Sequence, residues 1–174
     1  IAAGKSATVL HYVDCDQQLQ PGQVLLVDAG CELAGFTGDV TRAYPIPAPG
    51  QKPVFTREQQ QLYEIVLDAQ LAAISVARPG ATIEEIYTLI CHRLAQGLCS
   101  IGLLSGDPAS AVESGALRRF FPHRASHFLG LDVHDVGRYF PDDQPQRLQP
   151  GMVFTIEPGL YVQPDDPLGP DWQG

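Results

Sequence analysis

Two carboxylates and a run of imidazoles are the groups in this sequence with the most obvious capacity for chemistry. Asp28 ends the apolar run Val24-Leu25-Leu26-Val27, and Asp39 arrives in a second short run after a Gly-punctuated turn. Taking Leu33-Ala34 as the tip of a hairpin sets the two acids directly opposite each other, about 5 Å apart on one face. Like charges in that position repel unless a proton or a cation lies between them, so the pair reads either as a surface feature or as a metal clamp. Three of the five histidines, His123, His127 and His134, fall within twelve residues. Histidine is the commonest metal ligand and the usual proton carrier near neutral pH. Their spacing would suit one face of a helix, but Pro122, Gly130 and Val133 argue for strand and loop. His11, alone before a tyrosine, reads as structural or surface, and His92 as solvated.

An internal repeat favours the metal. Residues 19–30 read LQPGQVLLVDAG and residues 148–159 read LQPGMVFTIEPG, 129 positions apart, with Asp28 falling on Glu157. A Pro-Gly turn feeding a strand that ends in an acid is thus written twice. Two pseudo-equivalent halves would bring their carboxylates to a shared centre.

The elements that must position these groups follow from punctuation and periodicity. Thr56-Arg57-Glu58-Gln59 has the form of a capping box, and Leu62, Ile65, Val66, Ala69, Ala73 and Val76 recur at helical spacing, predicting a helix over 57–77. Arg78-Pro79-Gly80 stops it, and Thr82-Ile83-Glu84-Glu85 caps a second helix to about residue 99, carrying Ile86, Ile90, Leu94 and Leu98. Both are expected to be amphipathic covers for a sheet. A β-like segment is expected over 9–12, a proline-rich connector over 45–53, and a short helix over 109–118 in an otherwise looped stretch. The tail after Glu157 should begin as strand and pass into a loop in which Asp165, Asp166 and Asp171 are solvated.

Composition sets the outer limits. At 174 residues, 44% hydrophobic and 18% charged, the chain is the size of one globular domain with a real core. A net charge of −9 disfavours nucleic acid, and neither a polybasic nor an apolar membrane anchor is visible. The start, IAAGKSATVL, lacks an initiator Met and a signal-peptide pattern, so a fragment is expected. Cys15, Cys31, Cys91 and Cys99 form no CxxC pair, and Cys91 and Cys99 would lie about 12 Å apart on a helix, too far for a disulfide. An intracellular compartment, cytoplasmic or mitochondrial, is the corresponding expectation.

Together, DAG (28–30), GDVTR (38–42), HxxxHxxGLDVHD (123–135) and TIEPGLY (155–161), in this order, resemble the catalytic domain of the Xaa-Pro aminopeptidase (aminopeptidase P) family. That family belongs to the pita-bread metallopeptidases, with prolidase and methionine aminopeptidase. The resemblance implies an α/β fold of two pseudo-symmetric halves, an antiparallel curved sheet covered by helices. It makes 1–174 a partial catalytic domain, truncated at both ends, without the N-terminal domain of this branch. By position, Asp28 resembles a bidentate metal ligand, Asp39 a bridging one, His127 the imidazole ligand and Glu157 a carboxylate ligand. A fifth ligand, a glutamate, is expected beyond Gly174, and the 1–174 stretch alone is expected to be inactive. His134 and His123 take catalytic places, and His11, His123 and His134 substrate-binding ones, which revises the bland reading of His11. Arg124 stands where many relatives have Gly. The implied cofactors are two divalent ions. Oxygen-rich ligation with one imidazole suits Mn²⁺, without excluding Zn²⁺, Co²⁺ or Fe²⁺. The implied reaction is hydrolysis of the N-terminal bond preceding proline through a metal-bridging water, on peptides with proline second, and homo-oligomerisation is left open. A prolidase-type dipeptidase, an inactive pita-bread binding module and a structural Ca²⁺ or Mg²⁺ site are the competing readings.

Overall fold

The computed structural model describes residues 1–168 and Trp172. Three antiparallel strands run in the order β1 (Ala2–Ala3), β2 (Val24–Leu33) and β3 (Phe36–Pro45). Leu33 pairs with Phe36 around a two-residue turn, Ala34-Gly35, in which both residues have positive φ, 53° and 85°. That is the turn geometry whose twist suits a hairpin. The tip therefore sits one residue later than Leu33-Ala34, and the expected pairing of Asp28 with Asp39 is corrected: Asp28 faces Thr41 and Asp39 faces Gly30. Because side chains alternate along a strand, this even displacement leaves both acids on the same face as diagonal neighbours. Gly30 has a specific reason to lack a side chain, since a Cβ there would lie 2.1 Å from the Gly38 carbonyl oxygen.

The expected helices are present as α1 (Arg57–Val76) and α2 (Ile83–Ser100), and both capping boxes close. The Thr56 hydroxyl accepts the Gln59 N–H at 3.2 Å while the Gln59 side chain accepts the Thr56 N–H at 3.0 Å. Thr82 and Glu85 reciprocate at 3.1 and 2.8 Å. Such a box satisfies two helix-end donors and contributes about 1 kcal/mol. The predicted 109–118 helix resolves into α3 (Pro108–Glu113) and a 3₁₀ turn, Ala116–Arg119. No strand forms over 9–12; the preceding 3₁₀ turn Gly4–Thr8 runs into a bend in which His11 has φ 55°.

The core is built on α2. Ile86, Ile90, Leu94 and Leu98 are fully buried, each worth about 1.5–3 kcal/mol, together with Phe120 and Phe121. Ala69 and Ala73 let α1 lie close, and a Cβ on Gly97 would fall 2.5 Å from Ile65 Cγ2. What these helices cover is a second ribbon, in which Phe128, Ala125, Leu148 and Val162 join the same core. There 153–161 runs antiparallel to 120–129: Leu129 N–H bonds to Val153 O at 3.0 Å, Thr155 N–H to His127 O at 2.9 Å, and Glu157 N–H to Ala125 O at 2.9 Å. The ladder is incomplete for a chemical reason. The His127 N–H goes to the Thr155 hydroxyl at 2.9 Å, and the Thr155 carbonyl takes the Ser126 hydroxyl instead.

The repeat is geometric as well as textual. Gly22 and Gly151 have φ of 88° and 90°, and each turn is closed alike, Gln23 N–H to Gln20 O at 3.3 Å and Met152 N–H to Gln149 O at 3.2 Å. Each copy also abuts a helix start. Gln59 of the α1 box donates to Gly22 O at 2.8 Å, and Leu148 exchanges bonds with Gly80 and Ala81 at 2.9 and 2.7 Å just ahead of α2. The tail departs from expectation at two points: no strand is formed after Glu157 among the described residues, and one of the acids expected to be solvated is not. Asp165 is exposed, but Asp166 is buried and receives a two-pronged hydrogen bond from Arg119, whose Nε lies at 2.7 Å. Asp171 lies outside the described residues.

Candidate metal centre

Thr37 ties the two ribbons together. Its N–H and hydroxyl both donate to Gly130 O, at 2.9 and 3.0 Å. Two residues further along the same face, Asp39 meets His127. The Asp39 carboxylate lies 3.2 Å from His127 Nε2, and Glu157 reaches the same nitrogen at 3.2 Å from the neighbouring segment. Only about a sixth of the His127 side chain is exposed, at 16%. Its other nitrogen, Nδ1, donates to Phe128 O at 3.0 Å. A carbonyl can only accept, so this bond puts a proton on Nδ1 and aims Nε2 at the two acids.

Each half supplies a threonine to its acid. Thr41, facing Asp28, donates to it at 2.9 Å, and Thr155 donates to Glu157 at 2.9 Å while accepting the His127 N–H. Sequence reasoning assigned these hydroxyls no role. The available signal was that Thr155 stands two residues before Glu157, and Thr41 two after Asp39 on the face that Asp39 shares with Asp28.

Asp28, His11, His123, His127, His134 and Glu157 all line one cleft of about 1060 Å³. Asp39 lies 3.2 Å from one of these lining residues, His127. The 128–135 turn, closed by Asp135 N–H to Phe128 O at 3.1 Å, folds His134 back onto His127, with ring centroids 4.5 Å apart at 81°. The His11 ring also lies near His134, with centroids 5.9 Å apart. His123 is held at both nitrogens: Nδ1 donates to Arg124 O at 2.6 Å, and Nε2 is left to accept from the Tyr161 hydroxyl at 3.0 Å. Burial, then the charges of Glu157 and Asp28, push Tyr161 up to about 12. It therefore stays a neutral donor at physiological pH. This tyrosine is a further site residue that sequence reasoning left without a role.

The donor set is one imidazole, His127, and three carboxylates, Asp28, Asp39 and Glu157. It suits a hard divalent ion better than a thiolate-seeking one. Among the described residues, no three His, Cys, Asp or Glu side chains are already spaced as a metal's ligand shell. Asp39 and Glu157 each approach His127 Nε2 to 3.2 Å.

An antiparallel hairpin, a second acid-bearing ribbon related to it by repeat, and helices over the latter make up a pita-bread metallopeptidase domain. The chain belongs to metallopeptidase family M24, whose model matches residues 1–174. It is 38% identical to the Xaa-Pro aminopeptidase of Escherichia coli, over 100% of this chain and 38% of that protein. It is 40% identical to that of Haemophilus influenzae, over 100% of this chain and 39% of the relative. Among solved structures, aminopeptidase PepP of Pseudomonas aeruginosa superposes with a TM-score of 0.93 at 39% identity, covering 99% of this chain and 38% of that one. Zinc-substituted E. coli aminopeptidase P in complex with product superposes at 0.90 and 40% identity, over 99% and 38% of the two chains. The chain thus spans about two-fifths of the length of these relatives.

Proposed function

We propose that this domain serves a metal-dependent aminopeptidase that hydrolyses the N-terminal peptide bond preceding proline. The observation that carries the reading is His127, with Nδ1 committed to Phe128 O and Nε2 pointed at Asp39 and Glu157 from two different ribbons. Asp28, Asp39, His127 and Glu157 would hold two divalent ions, and Mn²⁺ fits their oxygen-rich character. Bound there, the ions would supply Lewis acidity and a water acidic enough to attack a peptide carbonyl near neutral pH.

The remaining roles belong to the chain's own side chains. His134, edge-on to His127 and 5.9 Å from the His11 ring, would move a proton at the scissile bond. His123, bonded at Nδ1 to Arg124 O and at Nε2 to the Tyr161 hydroxyl, would present a fixed edge to substrate. His11 closes the same wall. The four cysteines are all free, in keeping with a reducing compartment. No helix among the described residues is long and apolar enough to cross a membrane.

The test is metal analysis paired with peptide hydrolysis on the protein at its natural length. Two divalent ions per chain and release of the first residue from Xaa-Pro-Xaa peptides are expected. Retention of metal with no hydrolysis of such peptides would refute the proposal. Cleavage confined to Xaa-Pro dipeptides would assign the prolidase reaction.

A further inference from the structure

Resting on that reading, we infer that Arg124 is a specificity-determining residue that receives a carboxylate of the peptide at the mouth of the cleft. Arg124 is the sole Lys or Arg side chain among the described residues lining the cleft, whose other formal side-chain charges are the acids Asp28, Glu84 and Glu157. An aminopeptidase substrate brings a positive amine at one end and a negative carboxylate at the other. With Asp28 and Glu157 committed to the proposed ions, the carboxylate at the far end of the peptide needs a cation of its own, and Arg124 is the side chain of the cleft that supplies one.

The guanidinium is held ready. It lies over the Tyr87 ring, 4.1 Å from the centroid, and its Nη2 bonds to Glu84 in the first turn of α2. Stacking of this kind fixes the plane of the fork without consuming its N–H donors. Arginine has five such donors, and among the described residues only Nη2 is engaged. The side chain is 54% exposed, so a ligand can reach it, and Glu84 is 31% exposed. Glu84 therefore acts as a resident competitor for the same fork. The backbone carbonyl of Arg124 is bonded to His123 Nδ1, which puts the cation one residue from a side chain assigned to substrate.

The competition separates a binding role from a merely structural one. If Arg124 only pins the 123–125 segment to α2, removing either member of the pair should do the same damage. If it receives a carboxylate, Arg124→Met should weaken binding of acids alone, whereas Glu84→Gln should strengthen it. The experiment compares Ala-Pro-Ala with its C-terminal amide on the metal-loaded enzyme of natural length, by steady-state hydrolysis and by calorimetric binding. A second peptide pair, amidated and carrying Glu or Gln at the third position, separates a side-chain carboxylate from the terminal one.

In the parent enzyme the acid should have a KM about tenfold below the amide, the effect of one half-exposed charge-assisted hydrogen bond, with kcat little changed. Arg124→Met should abolish the difference and Glu84→Gln should widen it. A preference that follows Glu over Gln instead of the terminus would assign the fork to a side chain. No acid preference in the parent, the same preference in Arg124→Met, or a Glu84→Gln variant that behaves like Arg124→Met would each overturn the inference. If the parent hydrolyses none of these peptides, it is the proposed function that fails, and the calorimetric comparison of acid with amide still decides the role of Arg124.

Discussion

Replacing Thr155 with valine isolates the hydroxyl that joins two members of the candidate metal centre. Valine keeps the branched shape suited to an extended segment, so the change removes polarity more than volume. It removes the acceptor of the His127 N–H at 2.9 Å and the donor to Glu157 at 2.9 Å. A partly buried N–H left without an acceptor costs about 1–3 kcal/mol, and a lost hydrogen bond to a carboxylate about 1.5 kcal/mol. A destabilisation of about 3 kcal/mol follows, or about 6–12 °C in Tm for a chain of this size. Because the hydroxyl orients both His127 and Glu157, metal affinity should also fall about 10- to 100-fold, the usual effect of removing a group that orients ligands. Thermal unfolding followed by circular dichroism measures the first quantity, and metal-buffered titration the second. Thr155→Ser, which keeps the hydroxyl, should restore most of both. A Thr155→Val protein with parental Tm and parental metal affinity would refute the reasoning, because it would mean that neither bond orients the pair.

Three further outcomes are expected. His127→Ala should lose metal, while His134→Ala should retain it and lower kcat about 10²- to 10⁴-fold, the range for a positioned proton-transfer group; metal analysis of both variants checks the assignment, and equal metal loss would show the two histidines exchanged. Tyr161 should ionise near pH 12 in place of its ordinary 10.0, seen as the component missing from a spectrophotometric titration of Tyr161→Phe. Since its folded pKa is raised, the stability it contributes is complete below pH 10 and is lost as pH rises towards 12, and metal binding should lower the midpoint by neutralising Glu157 and Asp28. Gly30→Ala should disrupt the hairpin, because the backbone carbonyl of Gly38 at 2.1 Å cannot move aside; a normal Tm for that variant would overturn the packing argument.

Both helices were legible because their start signals are local: each capping box lies within four residues and closes as written. The acids were legible through the repeat, and Asp28 and Asp39 share a face as expected. Register was not. Hydrophobic alternation constrains which face a residue takes, and only the turn chooses between pairings that differ by an even number. The clue was Gly35, which had to occupy a positive-φ position at the tip, with Ala34 accepting the other. The extended second ribbon was anticipated, but its broken ladder was not, since nothing in the order of residues announces that Thr155 will intercept the His127 N–H. Asp166 was misread for a similar reason: its partner Arg119 lies 47 residues away.

The placement of Asp39 on one ribbon, with His127 and Glu157 on the other, has a thermodynamic consequence. Any ion held jointly by these three side chains fastens the hairpin to the helix-covered half across the Thr37–Gly130 contact. Its binding free energy then becomes part of the free energy of keeping the halves docked, adding about 2.7 kcal/mol when free ion stands a hundredfold above its dissociation constant. Ion availability would then govern resistance to heat and to proteolysis as well as turnover.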